Sequence, residues 1–311
     1  MQLCYAFCND DPIRRMEDCG NGRAAKTGMV LGAIAHMSYT GANTGRITPP
    51  LFGTEVMMDF IQSSDGTRIA YEQAGTGPLL IVLGGAFNDR TVGIPLMEAL
   101  APTATVLTYD RRGRGASSDA PTYAIEREIA DLAALIAHHG GTARVIGYSS
   151  GAILALRAVA AGLPITGVVL YEPPPTGRVG DELAPQLAAL LAADQRGAAV
   201  ELFQTVAVGL PATVVADLRH APFRPALEAI AHTLVYDTLL LAALPDGLLA
   251  AVTIPTLVLA GDQSHPIMAA TAQALAAAIP QGQYQLLVGE GHGITPAVVA
   301  PLIHAFFSAA A

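Results

Sequence analysis

From about residue 55 the apolar positions of the chain fall into short runs of two kinds. "EVMMDFIQ" and "TRIAYEQAG" are strand-like, and the turn-forming "SSDG" between them predicts a hairpin. "PLLIVLGG" is a continuous apolar run, as expected of a strand buried on both faces, and "ATVLTYD", "ARVIGYS", "ITGVVLYE", "PTLVLAGD" and "QYQLLVGE" come after it as further strands. Between them lie runs of helical period. The clearest is "AIEREIADLAALIAHH", with Ile125, Ile129, Leu132, Leu135 and Ile136 on one face and a stop at Gly140-Gly141. His138 and His139 sit in its last turn, where positive charge suits the helix dipole, and read as structural. "GIPLMEALA", "SGAILALRAVAAG", "IMAATAQALAAAI" and "PAVVAPLIHAFF" are the other helical stretches of this pattern.

Strands alternating with helices predict an α/β protein: a mostly parallel, eight-stranded sheet flanked by helices, with the opening hairpin adding antiparallel strands at one edge. The alternation stops between Pro173 and about Ala250. "PPPTGRVG" breaks the chain there, and the residues beyond it are Leu/Ala-rich and helical in period. A helical segment inserted between two strands reads as a cap over the carboxyl edge of the sheet, where α/β proteins bind ligands. The expected organisation is a core of residues 55–172 and 251–311, a helical cap of residues 173–250, and an irregular, flexible extension of residues 1–54.

That extension differs in composition from the rest. Cys4, Cys8, Cys19 and the single lysine, Lys26, all lie in it, whereas the chain from Met57 onward uses arginine alone. It shows neither the ligand spacing of a metal site nor the ordered regions of a signal peptide, and the expectation is a flexible extension or a start codon assigned too early, with Met57 or Met58 as the natural beginning. At 311 residues, 52% hydrophobic and 14% charged, the chain can bury a full core. A net charge of −9 argues against a nucleic-acid surface, and no apolar run is long enough to span a bilayer. The cysteine-free body is compatible with a reducing cytoplasm, which is the expected location.

The stretch "VIGYSSGAIL" places two serines between glycines, with a strand before and a helix after. "GYSSG" satisfies G-x-S-x-G and makes Ser149 the central serine. A tight strand-to-helix turn of this kind needs small neighbours. It lifts the hydroxyl over the sheet edge and aims the N–H of Ser150 at a developing oxyanion. A serine hydroxyl needs a base to take its proton. His292, in "GEGHG" after the last strand, has the right address among the eight histidines, with His265 after "PTLVLAGD" as the rival.

From about Met57 onward the chain resembles the α/β-hydrolases with a helical cap. Beside "GYSSG", the stretch "YDRRGRGASS" matches that superfamily's D-x-R-G-x-G-x-S loop through Asp110, Arg112, Gly113, Gly115 and Ser117. The order strand, serine, helix, strand, cap, strand, histidine agrees as well. The resemblance implies an α/β-hydrolase fold and a catalytic triad, with a structural role for the Asp110 loop. It also implies an oxyanion hole whose second donor comes after a His-Gly pair. Here "LGGAF" puts Gly84 in place of that histidine, and the backbone N–H of Ala86, beside Phe87, can still serve. The triad acid of the family most often stands where this chain has Ser264, in "GDQSH". That leaves Glu172, in "LYEPP" after the preceding strand, as the favoured acid and Asp262 as the alternative.

The expected activity is hydrolysis of a carboxylic ester or similar acyl bond of a small to medium apolar substrate, through an acyl-enzyme on Ser149. The chemistry requires neither metal nor organic cofactor, and no nucleic-acid or membrane partner is expected. Carbon–carbon bond hydrolysis, perhydrolysis and acyl transfer run on the same fold. A catalytically silent binding module is the reading from another class.

Overall fold

The computed structural model describes residues 58–177 and 180–309. The expectations for residues 1–54, including those for the three cysteines, lie outside the described residues. One eight-stranded sheet organises the rest: β1 (Asp59–Gln62), β2 (Arg68–Ala74), β3 (Leu79–Leu83), β4 (Thr105–Tyr109), β5 (Ala143–Tyr148), β6 (Ile165–Tyr171), β7 (Thr256–Gly261) and β8 (Gly282–Leu287), in the order β1-β2-β4-β3-β5-β6-β7-β8. β1 and β2 form the expected hairpin, closed by the amide of Ser63 donating to Thr67 O at 2.8 Å, with Gly66 in the left-handed region that the turn requires. β2 is also antiparallel to β4, and every other pairing is parallel.

β3 lies between β4 and β5, so the connections after β3 and after β5 leave in opposite directions. That is the topological switch point, where a crevice opens outside the carboxyl ends of the strands. The loop Gly84–Phe87 and the serine pair 149–150 both emerge there.

Helices α1 (Ile94–Leu100), α2 (Ile125–His138) and α3 (Ser150–Ala160) belong to the first half of the core. α2 carries Glu126 and Glu128 in its first turn, where they complement the dipole, and ends before Gly140 and Gly141, both at positive φ. His139 Nδ1 lies 2.9 Å from Leu135 O, and the rings of His138 and His139 pack edge-on against Tyr71. α3 is apolar almost all round and correspondingly buried from Ser150 to Leu156.

Between β6 and β7 the described residues form six helices and no strand: α4 (Gly180–Ala192), α5 (Arg196–Val206), α6 (Ala212–Leu218), α7 (Arg224–Ala229), α8 (Thr233–Leu240) and α9 (Leu248–Ala251). Two helices, α10 (Pro266–Ala278) and α11 (Pro296–Ala309), complete the core. α1 and α11 cover one face of the sheet, and α2, α3 and α10 the other. The insertion has its own apolar cluster, built on Leu183, Leu187, Val200, Phe203 and Leu234, which also contains Ala86 and Phe87 of the loop after β3. The inserted helices therefore sit directly on the switch-point loop.

The Asp110 loop is held by its own residues. The Asp110 carboxylate accepts from the amides of Arg90 and Ala116, each at 2.7 Å, and from the Arg90 guanidinium at 2.9 Å. The Ser117 hydroxyl donates to Asp110 O at 2.6 Å and accepts from the amide of Ala70 at 2.9 Å. Arg112 is fully buried and binds Asp131 on α2 through two parallel bonds of 2.7 and 2.6 Å. Arg111, Arg112 and Arg114 are all buried and ion-paired, so they offer no free charge to a ligand.

Candidate active site

At the carboxyl end of β5 the chain turns into α3 through Ser149, whose backbone is at φ 54, ψ −125. A non-glycine residue at positive φ costs about 1–3 kcal/mol and persists only where its surroundings enforce it. Here the amide of Ser149 donates to Tyr171 O at 2.9 Å, and three glycines allow backbones to meet around it. A Cβ on Gly147 would come within 2.5 Å of Ala152 Cα. One on Gly151 would lie 2.5 Å from Leu83 O and 2.7 Å from Gly84 O, and one on Gly85 would reach 2.7 Å from Ser149 Cβ. The turn, the helix start and the loop after β3 are thus in mutual contact, with Ser149 almost buried beneath them. Gly151→Ala pushes against carbonyls, which cannot rotate away as a flexible side chain can. It is expected to lower stability by about 1–3 kcal/mol, seen as a fall in Tm. An unchanged Tm would show that the loop after β3 yields freely.

Ser150 is the first residue of α3, so its N–H has no intrahelical partner and lies at the positive end of the helix dipole. The loop after β3 is pinned close by. The amide of Gly85 donates to Asn88 Oδ1 at 3.1 Å, Arg114 donates to Gly85 O, and the Phe87 ring packs edge-on against Phe203 of the insertion at 5.5 Å. Phe87 is itself at φ 62.

On the other side, Glu172 comes directly after β6 with φ 52 and is completely buried. Its Oε1 accepts from the amide of Gly261 at 2.6 Å, and its Oε2 stands 3.1 Å from His292 Nδ1. The neighbouring Tyr171 hydroxyl reaches Gly291 O at 2.8 Å and Gly293 O at 3.0 Å, so the residues flanking His292 are tied to β6. The Tyr148 ring lies 5.2 Å from that of His292. Asp262 is elsewhere. Its carboxylate is exposed and accepts from the amide of Gly289 at 2.8 Å and from Gln263 at 3.0 Å, where it braces the turn after β8. The structure therefore brings Glu172, and not Asp262, to the histidine. His265 is also spoken for, since its Nδ1 accepts from the amide of Ile267 and caps α10.

Among the described residues no hydrogen bond joins Ser149 Oγ to His292. In unliganded enzymes such contacts are often long and close only around substrate. Of the four non-glycine residues at positive φ among those described, three are Phe87, Ser149 and Glu172. Backbone strain concentrated at one crevice is the mark of a site whose geometry is held for a purpose. Tyr171 is a contributor that sequence reasoning misses, and so is the left-handed backbone of Phe87, because an aromatic residue gives no local signal of such a backbone or of a tether 120 residues away.

A cavity of about 60 Å³, lined by Val92, Pro95, Leu96, Tyr148, Gly293 and Ile294, flanks the chain neighbours of Ser149 and His292. A larger one of about 250 Å³ lies at the opposite, amino edge of the sheet, between Leu80, Arg144, His304 and Phe307, and is remote from this chemistry. Among the described residues no group of three or more His, Cys, Asp or Glu side chains is placed to hold a metal, and no helix is long and apolar enough to cross a membrane.

Residues 79–302 match the family model described as the alpha/beta hydrolase family. The chain belongs to the alpha/beta hydrolase family. Among solved structures, an alpha/beta hydrolase from Sphaerobacter thermophilus is 46% identical, with a TM-score of 0.75 over 80% of this chain and all of that one. A thermophilic esterase from Thermogutta terrifontis is 26% identical, with a TM-score of 0.65 over 82% of this chain and 99% of the other. A pimeloyl-[acyl-carrier protein] methyl ester esterase of Xanthomonas oryzae pv. oryzae is 30% identical over 235 residues, covering 70% of this chain and 89% of that protein. In this alpha/beta hydrolase the strand–serine–helix junction lies between β5 and α3, and His292, which follows β8, faces the carboxylate of Glu172 after β6.

Proposed function

We propose that this alpha/beta hydrolase cleaves a carboxylic ester, or a similar acyl bond, of a small to medium apolar substrate through an acyl-enzyme on Ser149. The observation that carries the reading is a strained serine at a helix start, on the same carboxyl edge of the sheet as a histidine whose Nδ1 faces a buried carboxylate.

In this mechanism Ser149 Oγ attacks the substrate carbonyl as His292 Nε2 takes its proton. Glu172 accepts the Nδ1–H, which fixes the tautomer and stabilises the imidazolium. The amides of Ser150 and Ala86 receive the oxyanion. The imidazolium then protonates the leaving alkoxide, and the acyl group stays on Ser149. A water molecule gives its proton to His292 and attacks the acyl carbonyl, which releases the carboxylic acid and restores the serine. The esterase relatives support ester chemistry. The apolar side chains that the insertion packs over Ala86 and Phe87 support an apolar substrate.

A series of p-nitrophenyl esters from acetate to laurate tests this. The highest kcat/KM is expected for the short acyl chains, with a steep fall toward laurate. A protein that turns over none of them would overturn the proposal.

A further inference from the structure

Asp237 lies in the apolar stretch "TLVYDTLLLAAL" of α8, in the insertion, yet it is completely buried. Its Oδ1 accepts from the Ser150 hydroxyl at 2.7 Å and from Arg111 Nη1 at 2.8 Å, and its Oδ2 accepts from Arg114 Nη2 at 2.7 Å. Arg111 also binds Glu128 on α2 through two bonds of 2.6 Å and reaches Gly84 O at 3.4 Å. Arg114 donates to Gly85 O, and to Asn88 O at 3.3 Å. Two guanidiniums and two carboxylates make the cluster neutral, which is the condition under which buried charges are tolerated. Burial works to raise the pKa of Asp237, but the Arg114 and Arg111 charges and the Ser150 hydroxyl overcome it, so the shift is downward and the group is a carboxylate.

Ser150 and the loop after β3 are the two segments that carry the oxyanion donors, and both are fastened to one side chain that belongs to neither. We propose that Asp237 is a positioning residue for the oxyanion hole: from the insertion it holds Ser150 through its hydroxyl and the Gly84–Ala86 loop through Arg111 and Arg114, so that the hole is assembled only while the inserted helices are docked. The catalytic half of this inference rests on the acyl-hydrolase reading. The structural half does not.

The test compares the full-length wild type with Asp237→Asn and Ser150→Ala. Asparagine keeps the shape, removes the charge and turns an N–H toward a guanidinium. Ser150→Ala keeps the backbone amide and removes one hydrogen bond, so it remains informative if Asp237→Asn does not fold. Amide hydrogen exchange is measured for peptides covering residues 84–88 and 149–152. Exchange about tenfold faster in both segments, with β1 and β2 unchanged, is expected for Asp237→Asn, and a smaller change of the same pattern for Ser150→Ala. In ester hydrolysis, kcat is expected to fall by about 10–100-fold in Asp237→Asn with KM within about twofold, because a displaced donor weakens the transition state and not ground-state binding. Affinity for a boronic acid analogue should fall by the same factor as kcat/KM.

Unchanged exchange in both segments, or a rise in KM at constant kcat, overturns the inference. A wild type that neither hydrolyses esters nor binds the boronic acid refutes the acyl-hydrolase reading instead, and the exchange measurement still decides whether Asp237 holds the two segments.

Discussion

Glu172→Gln is expected to lower kcat for ester hydrolysis by about 10⁴-fold, the effect known when a triad carboxylate is replaced by its amide. Asp262→Asn is expected to stay within a few-fold of wild type. The reason is geometric. Glu172 Oε2 faces His292 Nδ1 at 3.1 Å, and Oε1 is fixed by the amide of Gly261 at 2.6 Å. The buried glutamine can keep the Gly261 contact but then turns an N–H toward the histidine, which must present its own acceptor and so puts its proton on Nε2. The nitrogen needed as a base is then occupied. The carboxylate of Asp262 meets the Gly289 amide and the neighbouring Gln263, on a surface turn. Steady-state kinetics of the two variants, checked for intact folding by circular dichroism, decide the matter. A larger loss in Asp262→Asn would reverse the assignment.

Arg112→Leu is expected to cost about 3–5 kcal/mol of stability, because it leaves a buried carboxylate without its partner. Arg112 and Asp131 join the Asp110 loop to α2 through two short parallel bonds, with both side chains essentially inaccessible. Burial already pushes the carboxyl of Asp131 upward against the pull of Arg112, so loss of the guanidinium drives it to the neutral acid or out toward water. For a chain of this size the change corresponds to a fall in Tm of roughly 10 °C. The double variant Arg112→Leu/Asp131→Leu removes both charges together and is expected to recover most of the loss, as apolar replacement of a buried pair often does. Thermal unfolding of both proteins measures the difference. A double variant no more stable than the single one would show that the pair acts through something other than charge compensation.

One physical division separates the features that the sequence discloses from those it hides. The sheet is legible because strands buried on both faces must be continuous apolar runs, and "PLLIVLGG", "ARVIGYS" and "PTLVLAGD" are such runs. The junction at Ser149 is legible because a tight strand-to-helix turn forces small residues into fixed places, and Gly147, Gly151 and Gly85 each prove to lie against backbone or the serine itself. His292 is marked by its address after the last strand. The partner of that histidine is legible only as a choice between two carboxylates, since the contact bridges 120 residues and depends on where β6 ends relative to the final loop. Asp237 is hidden for a similar reason. Its helix reads as apolar, and the arginines that neutralise it come from a loop more than a hundred residues away. Backbone strain at Phe87 and Glu172 has no sequence signature at all, because the surrounding contacts impose it.

Whether Ser149 is an activated nucleophile is read by intact-protein mass spectrometry after exposure to a fluorophosphonate probe, with the adduct mapped by peptide sequencing. A single adduct on Ser149, absent in Ser149→Ala and strongly slowed in His292→Ala, is the expected result. A protein that stays unmodified at Ser149 while it binds a small apolar ligand without turnover would contradict the account.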